Sequence, residues 1–223
     1  MPDTHEPNLG VSLRLIHSLI TRGIDVGLDR SQAFAQNGYP DAATRAGFAT
    51  YIRTFACVVE GHHLAEDQVA FPYFRDKAPE APFDRLSSQH LEIAALLVEI
   101  TQAIEGAATD VEASGSLQRL HSTLTRLEAI WHPHIGIEEG ILSPARTKAL
   151  LGAEEHLKVM QMVAEHSLQH SGAEYLAVPF ILYNLGPDDR AGFSQAMPPV
   201  VVQQLVPVVW KEQWAPMQPF LLA

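Results

Sequence analysis

The chain reads as all-α: an antiparallel, up-and-down four-helix bundle over residues 8–149, with an additional helical region over residues 150–223. Three observations predict this. Four long segments before residue 150 repeat apolar residues at spacings of three and four, the period of a helix with one face in a core. Breaks rich in proline, glycine or other small residues separate them. One block of sequence also occurs twice, as His62-x-x-x-Glu66-Asp67-x-Val69-x-x-Pro72 and as His134-x-x-x-Glu138-Glu139-x-Ile141-x-x-Pro144.

The first helix is expected from about Asn8 to Gln36, with Leu13, His17, Ile20, Ile24 and Leu28 on one stripe. Asn37-Gly38-Tyr39-Pro40 stops it, and Asp41 is a good cap for its successor. The second carries Tyr51, Phe55, Val58, His62, Glu66, Val69 and Tyr73 along its inner side and ends at Ala78-Pro79-Glu80-Ala81-Pro82. Phe83, Leu86, His90, Ile93, Leu97 and Ile104 define the third, which gives way to a small-residue loop from Gly106 to Gly115. The fourth shows Leu120, Leu124, Leu127, Trp131, His134, Glu138 and Ile141. Ala153–His170 reads as a further helix. The remainder, with Pro179-Phe180, Pro198-Pro199, Trp210, Trp214 and Pro219-Phe220, is too apolar for a disordered tail. Short helices packed on the bundle or on a second subunit are expected there.

In every one of the four stripes a polar residue stands where the core should be. A buried charged carboxylate without a partner is costly, so these positions need an explanation. Their heights supply one. In an antiparallel bundle with short connections, residues equidistant from a turn lie level. The midpoint of His17 and His62 falls between Tyr39 and Pro40, that of His62 and His90 at Asp76, and that of His90 and His134 at Glu112. Each lies in or beside an expected break. Four histidines therefore share one level, with Glu66 and Glu138 about one turn away at ~1.5 Å rise per residue. A histidine and a glutamate four apart share a helix face. Imidazole and carboxylate donors repeated in this way suit a pair of metal ions.

The two blocks, "HHLAEDQVAFP" and "HIGIEEGILSP", together with His17 and His90, make the region from Leu9 to Ala149 resemble hemerythrin-like proteins, the HHE cation-binding family. The resemblance implies a four-helix bundle holding two non-haem irons bridged by carboxylates and an oxo or hydroxo oxygen. By the same resemblance His17 and His62 bind one iron, His90 and His134 the other, and Glu66 and Glu138 bridge them. The ligand set also admits manganese or zinc. The family's oxygen carriers place two histidines four apart on the third helix, whereas His90 has Leu86 and Ala94 at those positions. One iron is thus expected to keep an extra exchangeable position, which favours sensing or reactivity over simple oxygen storage.

A lone histidine among apolar residues is more often a hydrogen-bonded core group than a ligand, and the metal reading rests on the six residues jointly. His63, Asp67 and Glu139 are rotated about 100° from the ligand positions. Asp67 and Glu139 are expected to accept from histidine N–H groups, or to be solvated. His132 should face outward, and His5 and His121 read as surface or loop residues. His166 and His170, even with His156, have no further donor at a suitable spacing and read as a solvated helix face. Cys57 reads as a small core residue, and Trp131 and Tyr73 as packing near the metals.

The net charge of −11 and the absence of a basic run make nucleic acid a poor partner. No apolar stretch of about 18 residues supports a membrane span. The single cysteine and the non-signal-like start MPDTHEPNLG fit a cytoplasmic protein. The function expected is binding or sensing of O2, nitric oxide or H2O2, with a homodimer through the C-terminal region as one arrangement. The alternatives are a di-iron enzyme that decomposes peroxide or nitric oxide, and a metal-free helical interaction protein.

Overall fold

The computed structural model describes residues 8–109 and 113–222. Helix α1 spans Leu9–Asn37, α2 Ala42–Ala65, α4 Phe83–Thr109 and α5 Ser114–Ile141. These four form a helical bundle in which α1 packs along α5, α5 along α4, and α4 along α2. No strand occurs among the described residues. Nor does any helix there have the length and apolarity to cross a membrane.

The cap expected at Asp41 is in place, and Asn8 caps α1 in the same way. Asn8 accepts from the Val11 amide, and Asp41 accepts from that of Thr44 at 2.6 Å. Each satisfies a first-turn donor that the helix itself leaves orphaned. At the end of α1, Gly38 adopts φ 75° and donates its amide to the Phe34 carbonyl, the left-handed stop that glycine permits.

Two expectations need correction. The third helix runs through Gly106 to Thr109, because Ala103, Ile104 and Ala107 carry its buried stripe onward. Packing there outweighs the roughly 1 kcal/mol that a helical glycine costs. Gly115, likewise, lies inside α5. Part of the connection lies outside the described residues, as do His5 and Glu112.

The second correction concerns α2. After Ala65 the helix opens into a π turn, Glu66–Ala70, closed by the Phe71 amide on the Glu66 carbonyl, before α3 resumes over Phe71–Arg75. Pro72 has no amide hydrogen, and its ring would crowd the carbonyl four residues back, so a tight α turn is disfavoured here. The wider turn delays the buried stripe by one residue. Ala70 and Phe74 enter the core where Val69 and Tyr73 were expected, and those two are only half-buried. The Tyr73 hydroxyl instead turns to Glu155.

The chain then forms α6 (Pro144–Leu150), α7 (Ala153–His170), α8 (Glu174–Tyr183), α9 (Pro187–Ser194), a π-helical stretch Val201–Val209, α10 (Lys211–Trp214) and a 3-10 segment Ala215–Phe220. Helix α7 lies along α2, and Phe180, Met217 and Phe220 join the same apolar core as Phe48, Tyr51 and Phe55. Gly61 allows the close approach of α7. A Cβ there would stand 2.6 Å from the Ser167 carbonyl oxygen.

One tie across the fold is sensitive to protonation. His156 is buried, and its Nε2 accepts from the Leu9 amide at 2.6 Å, another first-turn donor of α1. The reading of His156 as part of a solvated face is thereby corrected. Only the neutral ring can accept this bond. Burial holds the His156 pKa below the ordinary 6.5. A histidine depressed in this way contributes stability that is present above its unfolded value and lost as the pH falls through the folded one. Acidifying from roughly pH 7 to 5.5, across the histidine range, is therefore expected to raise hydrogen exchange at Leu9 beyond its intrinsic pH dependence. A His156→Gln protein should lose that pH response. Equal response in both proteins would count against the tie.

Candidate metal centre

Three donors of α2 turn inward together. At about 100° per residue, His62, Glu66 and His63 lie near 0°, 40° and 100° around the helix. Glu66 thus occupies the middle of a sector that includes both histidines. All three are buried. His63, read from the sequence as turned away, belongs to the cluster. The signal was present but was measured from His62, the edge of the sector, rather than from its centre.

From the other helices come His17 (α1), His90 (α4), and His134 and Glu138 (α5), all buried. Donor atoms of His17, His62, Glu66 and Glu138 lie within 4.8 Å of one another, and so do those of His63, Glu66, His90 and His134. Glu66 is common to both groups. Glu138 spans them as well: its Oε2 is 3.2 Å from His17 Nε2, and its Oε1 is 3.2 Å from His134 Nε2 and 3.6 Å from His90 Nε2. Glu66 Oε2 is 3.5 Å from Nε2 of both His62 and His90. The residues expected at one level do converge on one place, with His63 added.

The far sides of the rings are held by other groups. Glu139 Oε1 lies 3.0 Å from His17 Nδ1, and Asp67 Oδ2 lies 2.9 Å from His90 Nδ1. The residue following each repeated glutamate therefore serves the lone histidine of another helix. Gln89 Oε1 faces His134 Nδ1 at 3.2 Å. Such partners fix ring orientation and leave the opposite nitrogen free to ligate. His90 is further sandwiched between His63, stacked at 4.1 Å, and Phe71 at 5.5 Å. Trp131 sets its edge or face against His17, His62, His63 and His134, and donates its indole N–H to Thr21 Oγ1 at 2.8 Å.

Burial pulls the His62 and His63 pKa values well below the ordinary imidazole range, and neighbouring histidines add to the shift. These rings are neutral, the form that binds a metal. Burial also lowers His17 and His90, but nearby carboxylates outweigh it and leave both raised: Glu138 with Glu139 for His17, Asp67 with Glu138 for His90. The two central carboxylates are driven apart. Burial, reinforced by Glu138, pushes Glu66 well above the carboxylate range. Burial acts on Glu138 in the same sense, yet its contacts with His134, His17 and His90 hold it well below.

Nε2 of His62 and His63 and both carboxylate oxygens of Glu66 and Glu138 are buried without a hydrogen bond. Buried polar atoms are rarely left so. Orphaned lone pairs converging from α2, its π turn and α5 are the donors that a pair of cations would satisfy. Imidazole with carboxylate suits iron, manganese or zinc, so the residues fit a metal centre.

The other histidines stand apart. His121 is half-buried on α5, with Nδ1 3.1 Å from the Leu28 carbonyl oxygen, rather than in a loop or on the surface. His166 and His170 stack at 4.3 Å, with His166 facing Gln68, and no third donor joins them among the described residues. His132 is exposed, and Cys57 is a half-buried free thiol.

Compared with known proteins, residues 13–146 match the family described as the hemerythrin HHE cation binding domain. No curated protein and no solved structure matches the chain.

Proposed function

The chain belongs to the hemerythrin HHE cation-binding family, and from that premise we propose that it is a non-haem di-iron protein that binds or senses O2, nitric oxide or H2O2. The observation supporting this most is the pair of buried donor groups that share Glu66. His17, His62, Glu66 and Glu138 would hold one ion. His63, His90 and His134, with the same two carboxylates, would hold the other. Bound iron supplies redox change and ligand positions that water or a small molecule can occupy.

The chain's own contribution is to make those positions unequal. Two imidazoles would serve the first ion and three the second, because His63 would supply the donor that α4 lacks beside His90. An added ligand is therefore best accommodated beside His17 and His62, where the protein offers fewer donors. Glu139, Asp67 and Gln89 set the ring tautomers, while Trp131 and Phe71 keep bulk water from the cluster.

The reading is tested on protein loaded anaerobically with ferrous iron. Azide added to the oxidised sample, or nitric oxide added to the reduced one, is expected to produce a new visible absorption that saturates at about one ligand per chain, as for one open position. A loaded protein whose spectrum ignores both ligands would contradict it. Peroxide consumption well above that of free iron would move the function to the enzyme.

A further inference from the structure

A surface groove between α1 and α5 has a cluster histidine at its floor. It is lined by Arg14, His17, Ser18, Thr21, Ile135 and Glu139, with Arg22 and Asp25 at its outer part. His17 is only 1 % exposed, so it forms the floor: Nδ1 faces Glu139 on the groove side, and Nε2 faces Glu138 in the centre. We infer that this groove is the route by which small anions reach the metal centre, with Arg14 selecting for negative charge at the mouth and Glu139 as the moving part. The inference rests on the di-metal reading above.

The two acids that follow the repeated glutamates are held differently. Asp67 takes a 2.5 Å hydrogen bond from Ser87 Oγ on α4, in addition to its contact with His90. Glu139 has a cation instead: its Oε2 is 3.5 Å from Arg14 Nε, and the Arg14 side chain is 53 % exposed. An exposed ion pair of this kind is weak, so thermal motion opens it readily. An anion that binds Arg14 competes directly with Glu139. Arg22, farther along the same helix, supplies a second positive charge, and its Nε is buried without a hydrogen-bond partner. Asp25 lies beyond it and offsets part of that charge. The groove also meets the cluster on the side of His17, where the protein offers fewer donors. Route and open position coincide.

The test follows azide and nitric oxide association by stopped flow on the iron-loaded full chain. Ser18 is exposed on the rim and contacts no cluster residue in a hydrogen bond or ion pair among the described residues. Ser18→Trp fills the groove and is expected to slow azide binding about tenfold or more, while the final azide spectrum and iron content stay those of the parent. Arg14→Glu is expected to slow azide by roughly tenfold at low ionic strength, with the difference shrinking as salt is added. Its effect on uncharged nitric oxide should be small. Azide rates equal to the parent's in both variants, at full iron content, would overturn the route and leave the metal reading standing. A parent chain that takes up no iron would overturn both.

Discussion

Glu66→Gln is expected to lose most of its bound metal, yet, once stripped with chelator, to be at least as stable as the stripped parent at neutral pH. The two signs come from one geometry. Glu66 is the residue common to both donor groups, and neither of its oxygens has a hydrogen bond. Replacing one of them by an amide nitrogen removes a lone pair and the negative charge that each ion would share. Affinity should fall by at least about a hundredfold, the upper end of what losing a mere supporting partner costs. Without metal the same carboxylate is a liability. Burial and the facing Glu138 raise its pKa well above the ordinary 4.5, so above that value the folded state disfavours ionisation and loses stability as the pH climbs. Glutamine has nearly the same shape and carries no charge to bury. Thermal unfolding of parent and variant, each with metal and with chelator, checks both signs. A residue that merely packed would shift the two states alike.

Trp131→Ala should have the largest effect on folding itself. The indole is fully buried, touches four of the five clustered histidines and hydrogen-bonds Thr21. Truncating a buried tryptophan costs about 3–5 kcal/mol, from the lost apolar burial together with the cavity left behind. In a chain of this size that corresponds to a fall in melting temperature on the order of 10 °C. Trp131→Phe retains most of the volume but leaves Thr21 Oγ1 without its indole donor, and should cost on the order of 1 kcal/mol. Chemical denaturation of the chelated proteins measures both without interference from metal loading. Similar midpoints for Trp131→Ala and the parent would mean that the indole does not support the cluster.

Much of the site was legible before any coordinates, because helical geometry converts spacing into position. Histidines level across three connections, and glutamates one turn away, had few other places to go than a common centre. What the period could not show was the breadth of the inward sector on α2. Measured from His62, His63 lies outside; measured from Glu66, it lies within. The π turn at Glu66–Ala70 was likewise invisible to a reading that assumed constant pitch, although Pro72 was the cue. His156 escaped for a different reason. Its partner, the Leu9 amide, is distant in sequence, and no local pattern reports a contact between a ring nitrogen and a remote backbone donor. The residues after 150 were recognisable as helical, but which face of the bundle they cover is decided by long-range packing such as that of Phe180 on Tyr51.

On the proposed reading, seven side chains from four helices form a place for two metal ions. An anaerobic titration of chelated protein with ferrous iron, followed by metal analysis after gel filtration, tests it most directly. Uptake should saturate at about two ions per chain, as in bundles that hold paired metals through inward-facing histidines and carboxylates. Fully helical protein that retains no iron, or retains it equally well after Glu66→Gln, would mean that these side chains do not form a two-metal centre.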